Sequence, residues 1–181
     1  MQLYSTLSVF LLTVYEFPTE SFGILVSMNA LMVVLFQFWI TNRTSKYAPM
    51  KMMAFGTLLY MIGFGMYGFI SEVYLFYIAM FILTVGEMIV LPVAQATVAQ
   101  FAPEDKRGRY MAVFGYSWSI PNLFGVVIAG LVMDYIGPNW VWYIAGILSL
   151  IAIIGFLLLH RVAKTRFSQE KEFHVEEAQE T

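Results

Sequence analysis

The chain of 181 residues contains no cysteine. That excludes disulfides, thiolate chemistry and cysteine metal sites, and it leaves the redox compartment open. Charge is scarce: 12% of residues are Asp, Glu, Lys or Arg, against 60% hydrophobic. A soluble domain carries roughly 25% charged residues, so a chain this apolar has too little polar surface to face water and calls for a membrane as solvent. Basic residues are absent from three whole stretches, around 16–20, at Glu72 and across 134–139. All ten Lys and Arg fall into three clusters: Arg43, Lys46 and Lys51; Lys106, Arg107 and Arg109; and Arg161, Lys164, Arg166 and Lys171. No basic face invites nucleic acid. The net charge of −2 says little beside this distribution.

A hydrocarbon core of roughly 30 Å needs about 20 apolar residues as helix. Five runs qualify: 21–41, 49–70, 73–101, 110–135 and 140–160. A sixth, 1–14, spans only about 21 Å at 1.5 Å per residue and reads as a first helix truncated at its start. Met1 has neither a basic segment nor a small-residue cleavage site after it, so no signal peptide is expected. The runs are too long and continuous for barrel strands. Pro18, Pro49, Pro103 and Pro138 lie in connections or at helix starts, where a missing N–H costs little. The fold expected is an all-α integral membrane protein, a six-helix transmembrane bundle over residues 1–161 followed by a polar tail, 162–181.

Positive loops stay on the cytoplasmic side. Residues 42–50, 102–109 and the tail are therefore expected in the cytoplasm, and the acidic or neutral turns outside. Tyr15, Tyr74, Tyr135, Trp140, Trp142 and Tyr143 lie near the outer boundary, where interfacial aromatics gather. Asn42-Arg43-Thr44 matches a glycosylation acceptor but falls on the cytoplasmic side. The tail reads as a flexible or weakly helical extension.

Glu87, mid-way along the fourth run, is the sharpest single residue. A carboxylate at the bilayer centre costs about 2.5–3.5 kcal/mol on insertion scales, so it is expected to face protein or a water cavity, where such groups serve as proton relays. The alternative is a protonated structural group hydrogen-bonded between helices. Pro92 and Pro121 sit inside spans, each removing a backbone bond, which membrane helices tolerate where neighbours satisfy the freed carbonyl. Ser117, Pro121, Gly125 and Ala129 recur every four residues and form a narrow stripe, widened by Gly130, of the kind that lets helices approach closely in lipid. Gln2, Thr6, Asn29, Gln37, Gln95 and Asn122 bring polar groups to several helices. Hydrogen bonding between helices explains any one of them; together they suggest a wet cavity, with Tyr116 and Trp118 as aromatic walls or as packing.

Enzyme signatures are missing. Gly115-Tyr116-Ser117-Trp118-Ser119 lacks the last glycine of a nucleophile elbow, and neither HExxH nor a P-loop occurs. The two histidines, His160 and His174, lie at the cytoplasmic end and in the tail. No catalytic residue, metal or cofactor is expected.

Taken together, these features resemble the C-terminal half of a major facilitator superfamily transporter, and within it the twelve-helix drug:proton antiporter branch. The similarity runs over nearly all of residues 1–159. It is carried by Gly86-Glu87-Met88 leading to Pro92, then Ala102-Pro103-Glu104-Asp105-Lys106-Arg107-Gly108-Arg109-Tyr110-Met111, which look like the tenth helix and the basic loop before the eleventh. Ser117-Trp118-Ser119-Ile120-Pro121, Gly125, Gly130 and Asp134 look like the eleventh helix; Phe22-Gly23 and Ser27-Met28-Asn29-Ala30 resemble the start of the eighth. One departure is Thr41-Asn42-Arg43-Thr44-Ser45-Lys46, where Asn42 stands in place of the family's acid.

The resemblance implies two six-helix halves rocking about a central site, in a cell membrane and with a cytoplasmic C-terminus. Gln2, Thr6, Glu87, Leu91 and Gln95 would then line the cavity, joined by Asn29, Asn122 and Trp118, with Glu87 coupling protons. Arg43, Lys46, Arg107 and Arg109 would form the cytoplasmic gate, or else serve topology alone. The implied partners are the lipid bilayer, a small amphipathic substrate, protons, and either a missing N-terminal half or a second copy of this one. A non-transporting membrane scaffold is the remaining alternative.

With no native cysteine, an introduced one reports its side of the membrane without background. In intact cells an impermeant maleimide is expected to label Asn139→Cys, and to label Ser45→Cys only after the membrane is opened. The reverse pattern would invert the topology.

Overall fold

A computed structural model describes residues 2–15 and 19–179, with side chains described for 6–15 and 20–162. Six helices follow in order: α1 (Gln2–Tyr15), α2 (Thr19–Thr44), α3 (Pro49–Phe69), α4 (Val73–Phe101), α5 (Arg107–Tyr135) and α6 (Trp140–Gln179), with a 3-10 turn at Glu104–Lys106 before α5. Among the described residues there is no strand. Five helices, all but α1, are long and apolar enough to cross a membrane. The chain is an all-α membrane bundle. α6 continues without a break through residue 162 to Gln179, so the polar tail is drawn as helix.

Local chemistry sets the helix ends. Pro49 is at the start of α3, where its ring pre-sets the helical φ and its missing N–H is not needed. Pro103 precedes the turn that leads into α5. At the other end of α5, the N–H groups of Ile136 and Gly137 both reach the Val132 carbonyl, at 3.0 and 2.9 Å. Closing the helix this way requires φ of +138° at Gly137, which glycine adopts without steric penalty. Pro138 follows and cannot continue the helix.

The helices alternate in direction, so connections with basic residues gather at one end of the bundle and acidic or neutral connections at the other. The buried core lies toward the acidic end. It joins Leu7, Phe10 and Leu11 of α1, Leu25 of α2, Tyr67 of α3, Phe76, Ala79, Met80 and Leu83 of α4, and Trp142 of α6. Aromatic rings meet there at angles that suit their quadrupoles: Phe10 and Trp142 edge-on at 5.2 Å, Tyr15 and Phe76 edge-on at 5.2 Å. Trp142 thus corrects the reading of a boundary aromatic: it is 2% exposed and packs on Phe10, Phe64 and Tyr67. Tyr15 and Tyr143 also turn inward, donating to the carbonyls of Ile70 and Gly68 at 2.8 and 2.7 Å. Tyr74, Tyr135 and Trp140 are exposed, as an aromatic belt requires.

Lipid tails are as apolar as leucine, so burial does not drive helices together in a membrane; close packing and hydrogen bonds do. α3 supplies the close packing. A Cβ on Gly56 would stand 2.6 Å from Val90 Cγ2 and 3.1 Å from the Gly86 carbonyl oxygen. One on Gly86 would stand 2.8 Å from the Gly56 carbonyl oxygen, so the backbones of α3 and α4 meet at a glycine pair. Gly63 receives Leu83 one level nearer the acidic end, and Gly68 receives the Tyr143 ring of α6. α5, by contrast, touches α1, α4 and α6 but buries only Ala129.

These contacts predict opposite outcomes for two glycine-to-alanine changes. Gly86→Ala must push two backbones apart and is expected to destabilise the chain by about 1–3 kcal/mol, as overpacking does. Gly155→Ala on α6 meets open space and is expected to be neutral or to stabilise by up to about 1 kcal/mol, the helix-propensity gain. Unfolding of the purified chain in detergent reads both.

Candidate functional site

Past the core, toward the bundle's middle, the interface of α2 and α4 turns polar. Glu87 is the fifteenth of the 29 residues of α4 and half-buried. Thr84, three residues earlier and so on the same face, is fully buried, and Asn29 of α2 is 7% exposed. The Asn29 amide Nδ2 donates to Thr84 Oγ1 at 2.8 Å and to Glu87 Oε2 at 3.4 Å. Thr84 Oγ1 in turn donates to the Met80 carbonyl at 2.7 Å. The amide's two hydrogens therefore serve the hydroxyl and the carboxyl, the second through a long, weak bond. Among the described residues no basic side chain pairs with Glu87. The carboxyl is tied to α2 by a neutral donor, the Asn29 amide.

The structure brings together Asn29 and Glu87 of the expected cavity set, and adds Thr84, which the sequence reading missed. Its signal was the three-residue spacing to Glu87. Leu91 and Gln95 continue the Glu87 stripe one and two turns on, half-buried and exposed respectively. Thr6 is 8% exposed on α1; the side chain of Gln2 lies outside those described. Trp118 and Asn122 are on the exposed side of α5, Trp118 edge-on to Phe114 at 6.2 Å. Along the stripe on α5, Ser117 and Pro121 are exposed, Gly125 and Gly130 half-buried, and Ala129 buried. Arg43, Lys46, Arg107 and Arg109 are exposed at the basic end. None of the four is brought to Glu87.

Hollows flank α4 among the described residues. One, of about 120 Å³, lies at the basic end, where Thr41, Thr44, Tyr47, Pro92, Thr97 and Gln100 line it. Another is an open apolar groove of about 380 Å³ between α2 and α4, walled by Phe36, Trp39, Phe81 and Val85 among others. Among the described residues no group of three His, Cys, Asp or Glu is placed to hold a metal ion.

The family model of the Major Facilitator Superfamily matches residues 1–179. The chain belongs to that superfamily. With its five apolar helices, this chain is a multi-pass membrane protein. It is similar to a protein of Planococcus maritimus named Na(+), Li(+), K(+)/H(+) antiporter, with 28% identity over 77% of this chain and 32% of that protein. Multidrug resistance protein 3 of Bacillus subtilis shares 28% identity over 65% of this chain and 24% of its own length. The uncharacterized MFS-type transporter YttB of the same organism shares 27% over 85% and 41%. The chain thus spans about a third of the length of the curated relatives it matches. No solved structure matches it significantly.

Asn29→Leu removes the amide's bonds to both Thr84 and Glu87, whereas Thr84→Val removes the Asn29 bond and Thr84's own bond to the Met80 carbonyl and leaves the Glu87 bond in place. Asn29→Leu is expected to cost up to about 1.7 kcal/mol in detergent unfolding, the upper range for a hydrogen bond between membrane helices. No measurable cost in Asn29→Leu would show that the bridge contributes nothing to stability.

Proposed function

We propose that the chain is part of an alternating-access transporter in the cell membrane, with its C-terminus in the cytoplasm, that exports small amphipathic or drug-like molecules in exchange for protons. The observation that carries this reading is the half-buried carboxyl of Glu87 at mid-span, held by Asn29 between two helices. Ionisable groups at that depth are costly and occur where ions or protons pass. Protonation of Glu87 from one side and release to the other, in step with rocking of the bundle, would link proton flow to substrate movement. Thr6, Leu91 and Gln95 would line the path beside it with Gln2, and Asn122 and Trp118 would join from α5. The exposed basic residues Arg43, Lys46, Arg107 and Arg109 would close the cytoplasmic side.

The exposed face of α5 fits a role in facing another bundle, either an N-terminal half or a second copy of this chain. Names among the relatives support exchange against protons and multidrug resistance. The Planococcus relative also favours a second reading, exchange of a monovalent cation for protons at the same carboxyl.

The test is Glu87→Gln in the transporter that carries this chain, assayed in everted membrane vesicles with an acid-loaded interior. Proton efflux triggered by a lipophilic cation is expected for the first reading, and by Na+ or Li+ for the second. In either case the variant is expected to insert normally and to lose the proton signal entirely. Full proton coupling in Glu87→Gln would remove Glu87 as the coupling site, whereas no proton signal with either trigger in the native protein would favour the scaffold.

A further inference from the structure

Pro92 lies inside α4, one residue past Leu91 on the side of Glu87 away from the core. In a helix the N–H of residue 92 would donate to the carbonyl of residue 88, and proline has no N–H to give. The Met88 carbonyl therefore loses its regular donor in the middle of a membrane, where no lipid atom can replace it. The structure supplies a donor from another helix: Gln37 Nε2 of α2 reaches the Met88 oxygen at 3.1 Å. The same nitrogen donates to Thr41 Oγ1, one turn further along α2, at 2.9 Å. A primary amide has two N–H groups, and both are used. Carbonyls inside an unbroken helix already have a donor, so Met88 is the position on α4 at which an α2 side chain gains most by bonding backbone.

We propose that Gln37 is a positioning residue that takes over the backbone bond removed by Pro92 and so holds the α4 backbone at Met88, directly beside Glu87, against α2. α2 then grips α4 twice, through Asn29 on the Glu87 side chain and through Gln37 on the adjoining peptide. The two grips set where the carboxyl sits relative to the helix pair. The positioning role rests on the proton-coupling reading of Glu87; the pairing of Gln37 with Pro92 does not.

A double-mutant cycle separates the two. Gln37→Met keeps the length of the side chain and removes both donors. Pro92→Ala restores the helix's own N–H and makes Gln37 redundant. In detergent unfolding of the chain, Gln37→Met is expected to lower the midpoint clearly in the native background and to change it by less than half as much beside Pro92→Ala. If Gln37→Met alone fails to fold, recovery of folding in the double variant is the expected result. Equal losses in both backgrounds, or a double variant that also fails to fold, would overturn the pairing.

The second readout is the pH dependence of proton exchange in the full transporter. Its midpoint is expected to shift in Gln37→Met and to return toward the native value in the double variant. An unmoved pH profile beside a coupled loss of stability would overturn the positioning role and leave a structural clamp. Proton exchange that is intact in Glu87→Gln would instead overturn the coupling reading, while the unfolding cycle still decides the clamp.

Discussion

Inside hydrocarbon, every backbone N–H and C=O needs a partner within the protein, since lipid offers none. This constraint explains why the described chain is helical throughout its apolar runs, and it gives the interior Pro92 a structural consequence. At Pro92 the consequence is a bond from another helix, Gln37 to the Met88 carbonyl. At Pro49, Pro103 and Pro138 there is none, because those positions carry no helical N–H to lose. One rule of solvation thus accounts for the helices, for where they stop, and for the link between α2 and α4 beside the candidate site.

With α2, α3, α4 and α5 lacking a distinct apolar face, hydrophobic faces do little to sort the bundle. The sorting is done by shape. Glycines on α3 admit α4 at two levels and the Tyr143 ring of α6 at a third, which makes α3 the support on which α4 and α6 are mounted. α4 then presents its opposite side to α1 and α2, with Phe76 and Met80 in the core and Glu87 just beyond it. The carboxyl is consequently carried by a helix that is braced from behind by backbone contact and from the side by amide bonds.

The uneven burial of the helices has the same logic. α4 is packed on several sides, whereas α5 buries only Ala129. Ser117, Trp118, Pro121 and Asn122 are exposed on α5. The chain spans about a third of the length of its relatives, and in the proposed two-bundle mechanism that exposed side of α5 would be covered by the other bundle.

Much of the architecture was legible in the residue order. Long apolar runs set the number of helices, because span length follows from bilayer thickness, and the boundaries at Val73, Phe101, Tyr135 and Trp140 are the same in the sequence reading and in the structure. Glu87 stood out because a charge at that depth is costly wherever the helix faces. The partners did not stand out. Trp142 looked like a boundary aromatic and is core; Thr84 drew no notice; Gln37 was one polar residue among several; and the small stripe on α5 drew attention while the glycines of α3 did not. Sequence by itself determined that the chain crosses a membrane as helices and carries one acid at mid-span, since both follow from the local cost of placing each residue in lipid. Only the tertiary structure decided which helix faces meet, and hence which amide holds Glu87 and which answers Pro92. In lipid, such pairing rests on close approach and on single hydrogen bonds between residues 50 or more positions apart in the chain, and no local pattern records it.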